Sequence, residues 1–311
     1  MAVTIRDVAA LAGVSPSTVS RTCQNSPSIS EDTKRRVRQA AKQLGYAMGG
    51  DPAQSPAPRT IGVILPPSAR EVYENPFYLE MIRGINQFCN AHQYVSTIVT
   101  GRDNDEILAA IRLLVSTGAA DAFILLYSRQ GDTVIDYLVQ AGLMYVLIGK
   151  AYAYANKTVY IDNDNFVAGQ EATEYLIRRG HRRIASLGSD NAYMFTADRK
   201  RGYQAAMAAA GLPFHAEDCI EMQALDMQDA ALHALIERED RPTAIVVSDD
   251  ILAVTLERLC TLRGISIPRD LSIVSFNNSL FARLTSPRLT SIDLNSFQLG
   301  FEAASQLVSH I

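Results

Sequence analysis

Thr4-Ile5-Arg6-Asp7-Val8-Ala9 runs into Ala12-Gly13-Val14-Ser15-Pro16-Ser17-Thr18-Val19-Ser20-Arg21, and this stretch decides the architecture of the first sixty residues. It reads as two short helices joined by a tight turn. Val8, Leu11 and Val14 are expected to pack the first helix, and Gly13 permits the turn where a side chain would be strained. Ser15 stands at the N-cap position of the second helix. Pro16, at the first helical position, needs no backbone donor. Ser17, Ser20 and Arg21 fall on the side of that helix that Val19 does not use. Such a helix is short enough to enter a major groove, and its arginine can bond guanine bidentately. Ser30-Glu31-Asp32-Thr33-Lys34-Arg35-Arg36-Val37-Arg38 opens a third helix behind a serine cap, and Gly45 stops it. The bland alternative is a plain three-helix bundle with Arg21 merely solvated. The cap, the turn glycine, the hydroxyls and the arginine agree against it.

The chain has 311 residues and 48% hydrophobic content, enough for a large core and more than one domain. Its net charge of −4 hides an asymmetry: residues 1–60 carry eight Lys and Arg against four Asp and Glu, leaving 21 against 29 beyond them. A basic head on an acidic body fits nucleic acid at one end only. Cys23, Cys89, Cys219 and Cys260 are too scattered for a zinc site or a redox pair and are expected to be reduced and packed. No segment is long and apolar enough to span a bilayer, and the N-terminus lacks a signal-peptide pattern, so the expected compartment is the cytosol, with no membrane partner.

Between Tyr46 and Ile61 neither apolar period survives; Pro52, Pro56, Pro58 and paired glycines mark a linker. The expected organisation is a DNA-binding head over 1–46, a linker over 47–60 and a larger body over 61–311. From Ile61 onward short apolar runs alternate with amphipathic ones. Strands are expected at Ile61–Leu65, Val95–Val99, Ala122–Leu126, Tyr145–Gly149, Ile184–Leu187, Ala244–Ser248 and Leu271–Phe276. Helical patterns lie between, among them Leu79–His92, Asn165–Arg179, Arg199–Ala210 and Ser296–Ser309. Such alternation predicts an α/β body of parallel sheets flanked by helices.

The head closely resembles the lactose-repressor (LacI/GalR) family of bacterial transcription regulators, whose signature T-I-x-D-V-A-x-x-A-G-V-S-x-x-T-V-S-R is matched nearly unbroken. The body resembles the same family's two-subdomain, periplasmic-binding-protein-like core. The resemblance implies a dimer reading a pseudopalindromic double-stranded operator and released by a small-molecule sugar. The candidate DNA contacts are Thr4, Ile5, Ser15, Pro16, Ser17, Thr18, Ser20, Arg21, Gln24, Asn25, Ser30 and Thr33, with Lys34, Arg35 and Arg36 expected on phosphate. Two departures stand out. Gln24-Asn25-Ser26 replaces the usual Asn-Gly-Ser, and the linker lacks the leucine that the family wedges into the minor groove. The family also runs past its last helix to a final strand, whereas this sequence stops at Ile311.

In open parallel sheets a ligand sits beyond the carboxyl ends of strands. The candidate effector residues found there are Phe77, Tyr78, Ser128, Lys150, Asp164, Phe195, Arg199, Asp249 and Asn277. Carboxylates, amides and an arginine beside aromatic faces suit a polyhydroxylated ring. The bland readings are a helix cap for Asp164, a solvated rim for Lys150 and a core position for Phe77. Asp198-Arg199-Lys200-Arg201-Gly202-Tyr203 matches the family's D/S-R-x-x-G-Y motif, whose arginine commonly binds effector. Asp249 and Asn277 are expected to face it from the opposite subdomain. Asn277 stands where the family usually has aspartate, which disfavours a basic effector. Tyr73-Glu74-Asn75-Pro76-Phe77, Leu147-Ile148-Gly149-Lys150 and Asp162-Asn163-Asp164-Asn165 look closer still to the maltose and maltodextrin repressors; another sugar, a phosphosugar or an activator remains the alternative. An enzyme is the competing class. There is no P-loop, no nucleophile elbow, no cofactor motif and no histidine pair at ligand spacing, so neither catalysis nor a cofactor is expected. Asp249 and Asp250, adjacent at a strand end, should point apart.

Overall fold

The computed structural model describes residues 4–23, 26, 28–44, 59–68, 71–120, 122–223 and 226–311. The chain divides into two compact units, Met1–Pro58 and Arg59–Ile311.

In the first unit α1 (Ile5–Ala12), α2 (Pro16–Cys23) and α3 (Glu31–Leu44) surround a small core of Val8, Ala9, Ala12, Val19, Val37, Ala40 and Ala41. The Asp7 carboxylate accepts from both the backbone N–H and the hydroxyl of Thr4, at 2.8 and 2.7 Å, and this pins the start of α1. Gly13, left-handed at φ 65°, ends it. Leu11 corrects the expectation: it is 50% exposed and adds nothing to this core, which Ala9 and Ala12 fill instead.

The second unit holds two five-stranded, wholly parallel sheets. The first comprises β1 (Arg59–Ile64), β2 (Tyr94–Val99), β3 (Ala122–Leu125), β4 (Tyr145–Ile148) and β5 (Val159–Ile161), ordered β2-β1-β3-β4-β5. The second comprises β6 (Ile184–Gly188), β7 (Cys219–Glu221), β8 (Ala244–Val247), β9 (Ser272–Phe276) and β10 (Thr290–Ile292), ordered β10-β9-β8-β6-β7. Val63 pairs with Ile98 on one side and Ile124 on the other, while Ile245 pairs with Ala185 and Ile273. β3, β4 and β8 are apolar at every position and buried at every position, as strands covered on both faces must be. β1 begins two residues before the expected Ile61, because Arg59 and Thr60 pair with Tyr94 and Val95.

α4 (Glu71–Glu74), α5 (Pro76–Ala91), α6 (Asn104–Ser116) and α7 (Thr133–Gln140) cover the first sheet; α8 (Asn165–Arg178), α9 (Met194–Ala209), α10 (Ala230–Glu237), α11 (Asp250–Leu262) and α12 (Leu280–Leu284) belong to the second. α13 (Ser296–His310) crosses back and packs on α5, placing Leu299, Ala303, Ala304 and Leu307 in the first sheet's core. The chain therefore passes between subdomains at Asp162–Asp164 and again at Asp293–Asn295. Asn163 Nδ2 ties the passages together by donating to the Leu294 carbonyl at 2.7 Å.

Two helix pairs approach closely through glycine. A Cβ on Gly84 of α5 would strike the Phe297 carbonyl of α13, and one on Gly300 would strike that of Met81. In the second subdomain Gly202 of α9 lies against the Phe166 carbonyl of α8, and Gly169 of α8 against the backbone of Arg199. Glycine inside a helix costs roughly 0.5–1 kcal/mol relative to alanine, so this close approach is what makes it the fitting residue.

Candidate functional site

A cleft opens between the carboxyl ends of the two sheets, and each of its walls starts from a local capping signal. Asn75 accepts from the Phe77 N–H at 3.0 Å, with Pro76 at the first helical position, and so starts α5 with Phe77 and Tyr78 facing the cleft. Asp249 Oδ1 accepts from the N–H groups of Ile251 and Leu252 at 2.8 and 2.9 Å, capping α11 while also lining the cleft. Asp250 turns away, as expected of a neighbour at a strand end. It is buried, accepting from the hydroxyls of Ser275 and Ser291 at 2.5 and 2.8 Å and from the Ser279 N–H at 2.7 Å. Asn277 follows β9 at φ 97°, a left-handed conformation that asparagine tolerates better than most side chains.

Arg199 lies at the centre, 5% exposed. Its Nε donates to Asn165 Oδ1 at 2.9 Å and its Nη1 to the Ser248 carbonyl. The guanidinium carbon lies 5.0 Å from the ring centre of Phe195 and 4.4 Å from that of Phe276. Burial pushes the guanidinium pKa down to about 10, against the pull of the Asp249 and Asp162 carboxylates, so it is charged at neutral pH. Burial in turn raises the pKa values of Asp249 and Asp162, and of the Tyr78 phenol. The surrounding motif has a packing role at each position. Asp198, buried, pairs with Arg201; Gly202 meets α8; Tyr203 donates to the Ile184 carbonyl at 2.7 Å.

Seven of the nine expected residues line this cleft: Phe77, Tyr78, Ser128, Phe195, Arg199, Asp249 and Asn277. Lys150 and Asp164 do not. Lys150 is exposed, and only its carbonyl reaches inward, accepting from Ser128 Oγ at 2.5 Å. Asp164 faces solvent and caps α8 through the Val167 N–H at 3.1 Å. A further correction concerns sides. Asp249 and Asn277 follow β8 and β9, so they share the second subdomain with Arg199; the opposite wall is Phe77, Tyr78, Tyr127 and Ser128. Asp162, Asn163 and Asn165 line the cleft as well. They sit in the same polar run, Asp162–Asn165, in which only Asp164 turns to solvent. Among the described residues no group of three His, Cys, Asp or Glu could hold a metal ion, and no helix is long and apolar enough to cross a membrane.

On the head, Ser15 Oγ accepts from the Thr18 N–H at 3.2 Å and shares hydrogen bonds with the Ser17 and Thr18 hydroxyls at 2.8 and 2.9 Å. Thr4, Pro16, Ser17, Arg21 and Ser30 are exposed; Thr18, Ser20 and Thr33 are half-buried, and Ile5 packs partly against the head's core. Gln24, Asn25 and residues 45–58, which include the expected linker up to Pro58, lie outside the described residues. Lys34 departs from the expected phosphate role: it is 5% exposed and pairs with Glu31 at 2.7 Å. Arg35 pairs with Asp32 at 2.5 Å, and Arg36 is exposed.

Residues 4–48 match the bacterial regulatory proteins of the lacI family, and residues 173–311 match the periplasmic binding protein-like domain. The HTH-type transcriptional regulator MalR of Streptococcus pneumoniae is 32% identical over 311 residues, spanning 96% of this chain and 90% of that protein. Among solved structures, a putative transcriptional regulator LacI from Bacillus cereus subsp. cytotoxis superposes with a TM-score of 0.78 at 36% identity, covering 81% of this chain and 90% of that one. A transcriptional regulator CelR-cellobiose complex superposes at 0.75 with 27% identity, covering 99% and 93%. A capped helix-turn-helix, two parallel sheets about a polar cleft and these relatives agree: the chain belongs to the lacI family of bacterial regulatory proteins, and is a DNA-binding transcriptional regulator with a periplasmic binding protein-like core, not an enzyme.

Proposed function

We propose that this regulator is a homodimeric repressor of maltose or maltodextrin utilisation, acting in the cytosol and released from a pseudopalindromic operator when a neutral malto-oligosaccharide enters the cleft. The observation that carries the reading is Arg199, buried and charged between Phe195 and Phe276, with Asp162, Asp249, Asn165 and Asn277 around it. Adjacent sugar hydroxyls need paired donors and acceptors, and the ring's C–H face needs an aromatic plate such as Phe77 or Phe195. The half-buried carboxyl groups of Asp162 and Asp249 argue against a phosphosugar, whose anion would meet them at close range. The MalR relatives favour an α-linked glucose oligomer. The CelR-cellobiose complex supports cellobiose as a second reading.

In this reading residues 1–46 bind operator, 47–60 link, with Arg59 and Thr60 of that span already paired in β1, and 61–311 bind effector and dimerise. Thr4, Ser15, Pro16, Ser17, Thr18, Ser20, Arg21, Gln24, Asn25, Ser30 and Thr33 contact DNA, with Ile5 split between DNA and core. Effector binding favours a closed cleft, and only that differential affinity can shift the heads; a coupling of about 1–3 kcal/mol changes operator affinity roughly 5–150-fold. The test is a gel-shift titration of the operator complex against maltose, maltotriose and cellobiose. Release by maltose or maltotriose is expected; release by cellobiose alone favours the second reading, and release by none of them overturns both.

A further inference from the structure

The two subdomains meet a second time away from the chain crossings. β3 lies two strands from β5, and β6 three strands from β10, so the loops after β3 and β6 stand apart from the two passages. There the backbone pairs across the cleft. Gln130 N–H donates to the Ala192 carbonyl at 2.8 Å, Met194 N–H donates to the Ser128 carbonyl at 3.0 Å, and Arg129 and Tyr193 form an antiparallel bridge. Arg129 pairs with Asp190 at 3.3 Å and lies 5.8 Å from the centre of the Tyr193 ring. That ring sits between Tyr127, at 6.3 Å, and Phe195, at 5.9 Å.

We infer that segment 128–130 and segment 190–194 form a clasp that holds the cleft shut, with Arg129 and Asp190 as positioning residues for effector binding. Neither side chain lines the cleft. Their effect is indirect. Met194 is the first residue of α9, so the clasp grips the end of the helix that carries Phe195 and Arg199. Tyr193 has no side-chain cap bond to that helix end, and the Ser128 carbonyl from the other subdomain satisfies one of its otherwise free N–H groups. Opening the cleft breaks these bonds, and water replaces them. Each interaction is individually weak, as suits a catch that must release. The ion pair is exposed, which limits its worth to a factor of about two to five in the closed–open equilibrium.

The clasp is tested in the full, sugar-free chain by hydrogen exchange at the Gln130 and Met194 amides. Arg129→Ala and Asp190→Ala are each expected to lower protection at both amides about two- to fivefold, and the charge-swapped Arg129→Asp/Asp190→Arg to restore it. Met194→Pro removes the donor without opposing the helix. Proline is favoured at a first helical position, and Tyr193 at φ −74° and ψ 127° already has the geometry that precedes a proline. Compared with Met194→Ala, which keeps the N–H, it should lower Gln130 protection about two- to tenfold. Unchanged exchange in both single alanine variants, or no recovery on charge swapping, overturns the clasp. The role in effector binding rests on the proposed sugar site. With maltose as probe, the single variants should speed its dissociation by the same factor as the exchange, leaving association unchanged. A wild-type chain that shows the exchange pattern but no maltose binding retains the clasp and loses the maltose reading.

Discussion

Arg199 enters the cleft already committed to Asn165, to the Ser248 carbonyl and to two aromatic faces, which leaves Nη2 without a hydrogen bond among the described residues. A fork held in this way presents its remaining N–H groups in one orientation, which adjacent hydroxyls require. Arg199→Ala should abolish sugar-induced release and leave sugar-free operator binding intact. Because the side chain is buried and bonded, it should also lower stability by about 1–3 kcal/mol. Arg199→Lys keeps the charge but loses the fork, so it should regain most of that stability and stay unresponsive. Thermal unfolding paired with a gel shift separates the two effects; a sugar-responsive lysine variant would remove the fork from the argument. A second residue gives a pH signature. Burial raises the Glu257 carboxyl pKa from 4.5 to about 7, so the fold favours its protonated form. That contribution is complete below pH 4.5 and is lost as pH rises through about 7. Glu257→Gln holds the neutral form permanently. Urea unfolding should show it roughly 1–2 kcal/mol more stable than wild type at pH 8, after discounting for solvent screening, and equal at pH 4.

At the scale of elements, α2 carries the proposed DNA reading. Arg21 is exposed at its last turn and Val19 is fully buried on the other face. Arg21→Ala should cost about 1–3 kcal/mol of operator affinity and relax one position per half-site, whereas Arg36→Ala should weaken operator and scrambled duplex alike. Competition shifts with both duplexes decide it; equal loss for Arg21→Ala would assign that residue to phosphate. The elements that bury an apolar run were legible in the sequence, from β1 and β3 through β8 and α5. Those left unread were β5, β7 and β10, all edge strands of three residues with at most one buried position. With one neighbour each, they need no continuous apolar run and leave no period to find. The start of α9 was also missed by five residues, because Tyr193 offers no capping side chain. In the site, residues at strand ends were readable by topology. Asp164 and Lys150 were misplaced because which residue of a polar loop faces inward depends on backbone angles that composition does not encode. Leu11 failed for a related reason: in so small a head alanines fill the core, and a leucine can remain outside.

Across the effector domain, glycine-mediated helix contacts tie the fold to the site. Gly169 presses on the backbone of Arg199, so a methyl there must displace α9. Gly169→Ala should lower the melting temperature by an overpacking cost of about 1–3 kcal/mol and weaken maltose binding as well. Gly300→Ala, in the α5–α13 pair, should cost similar stability with a smaller effect on the sugar, since its contact is with Met81 and not with a cleft residue. Calorimetry on both variants checks this, and equal sugar affinities would break the link between α8 packing and Arg199. The return of α13 to the first sheet also bears on how the chain is made. The second subdomain is one continuous stretch between the two passages, and its sheet is complete once β10 has left the ribosome. The first begins earlier yet lacks Leu299, Ala303, Ala304 and Leu307 of its core until α13 emerges. Domains generally fold as units, once the parts of their core are available. In translation, the half that is synthesised second is therefore expected to finish folding first, while the older half waits for the chain to come back to it.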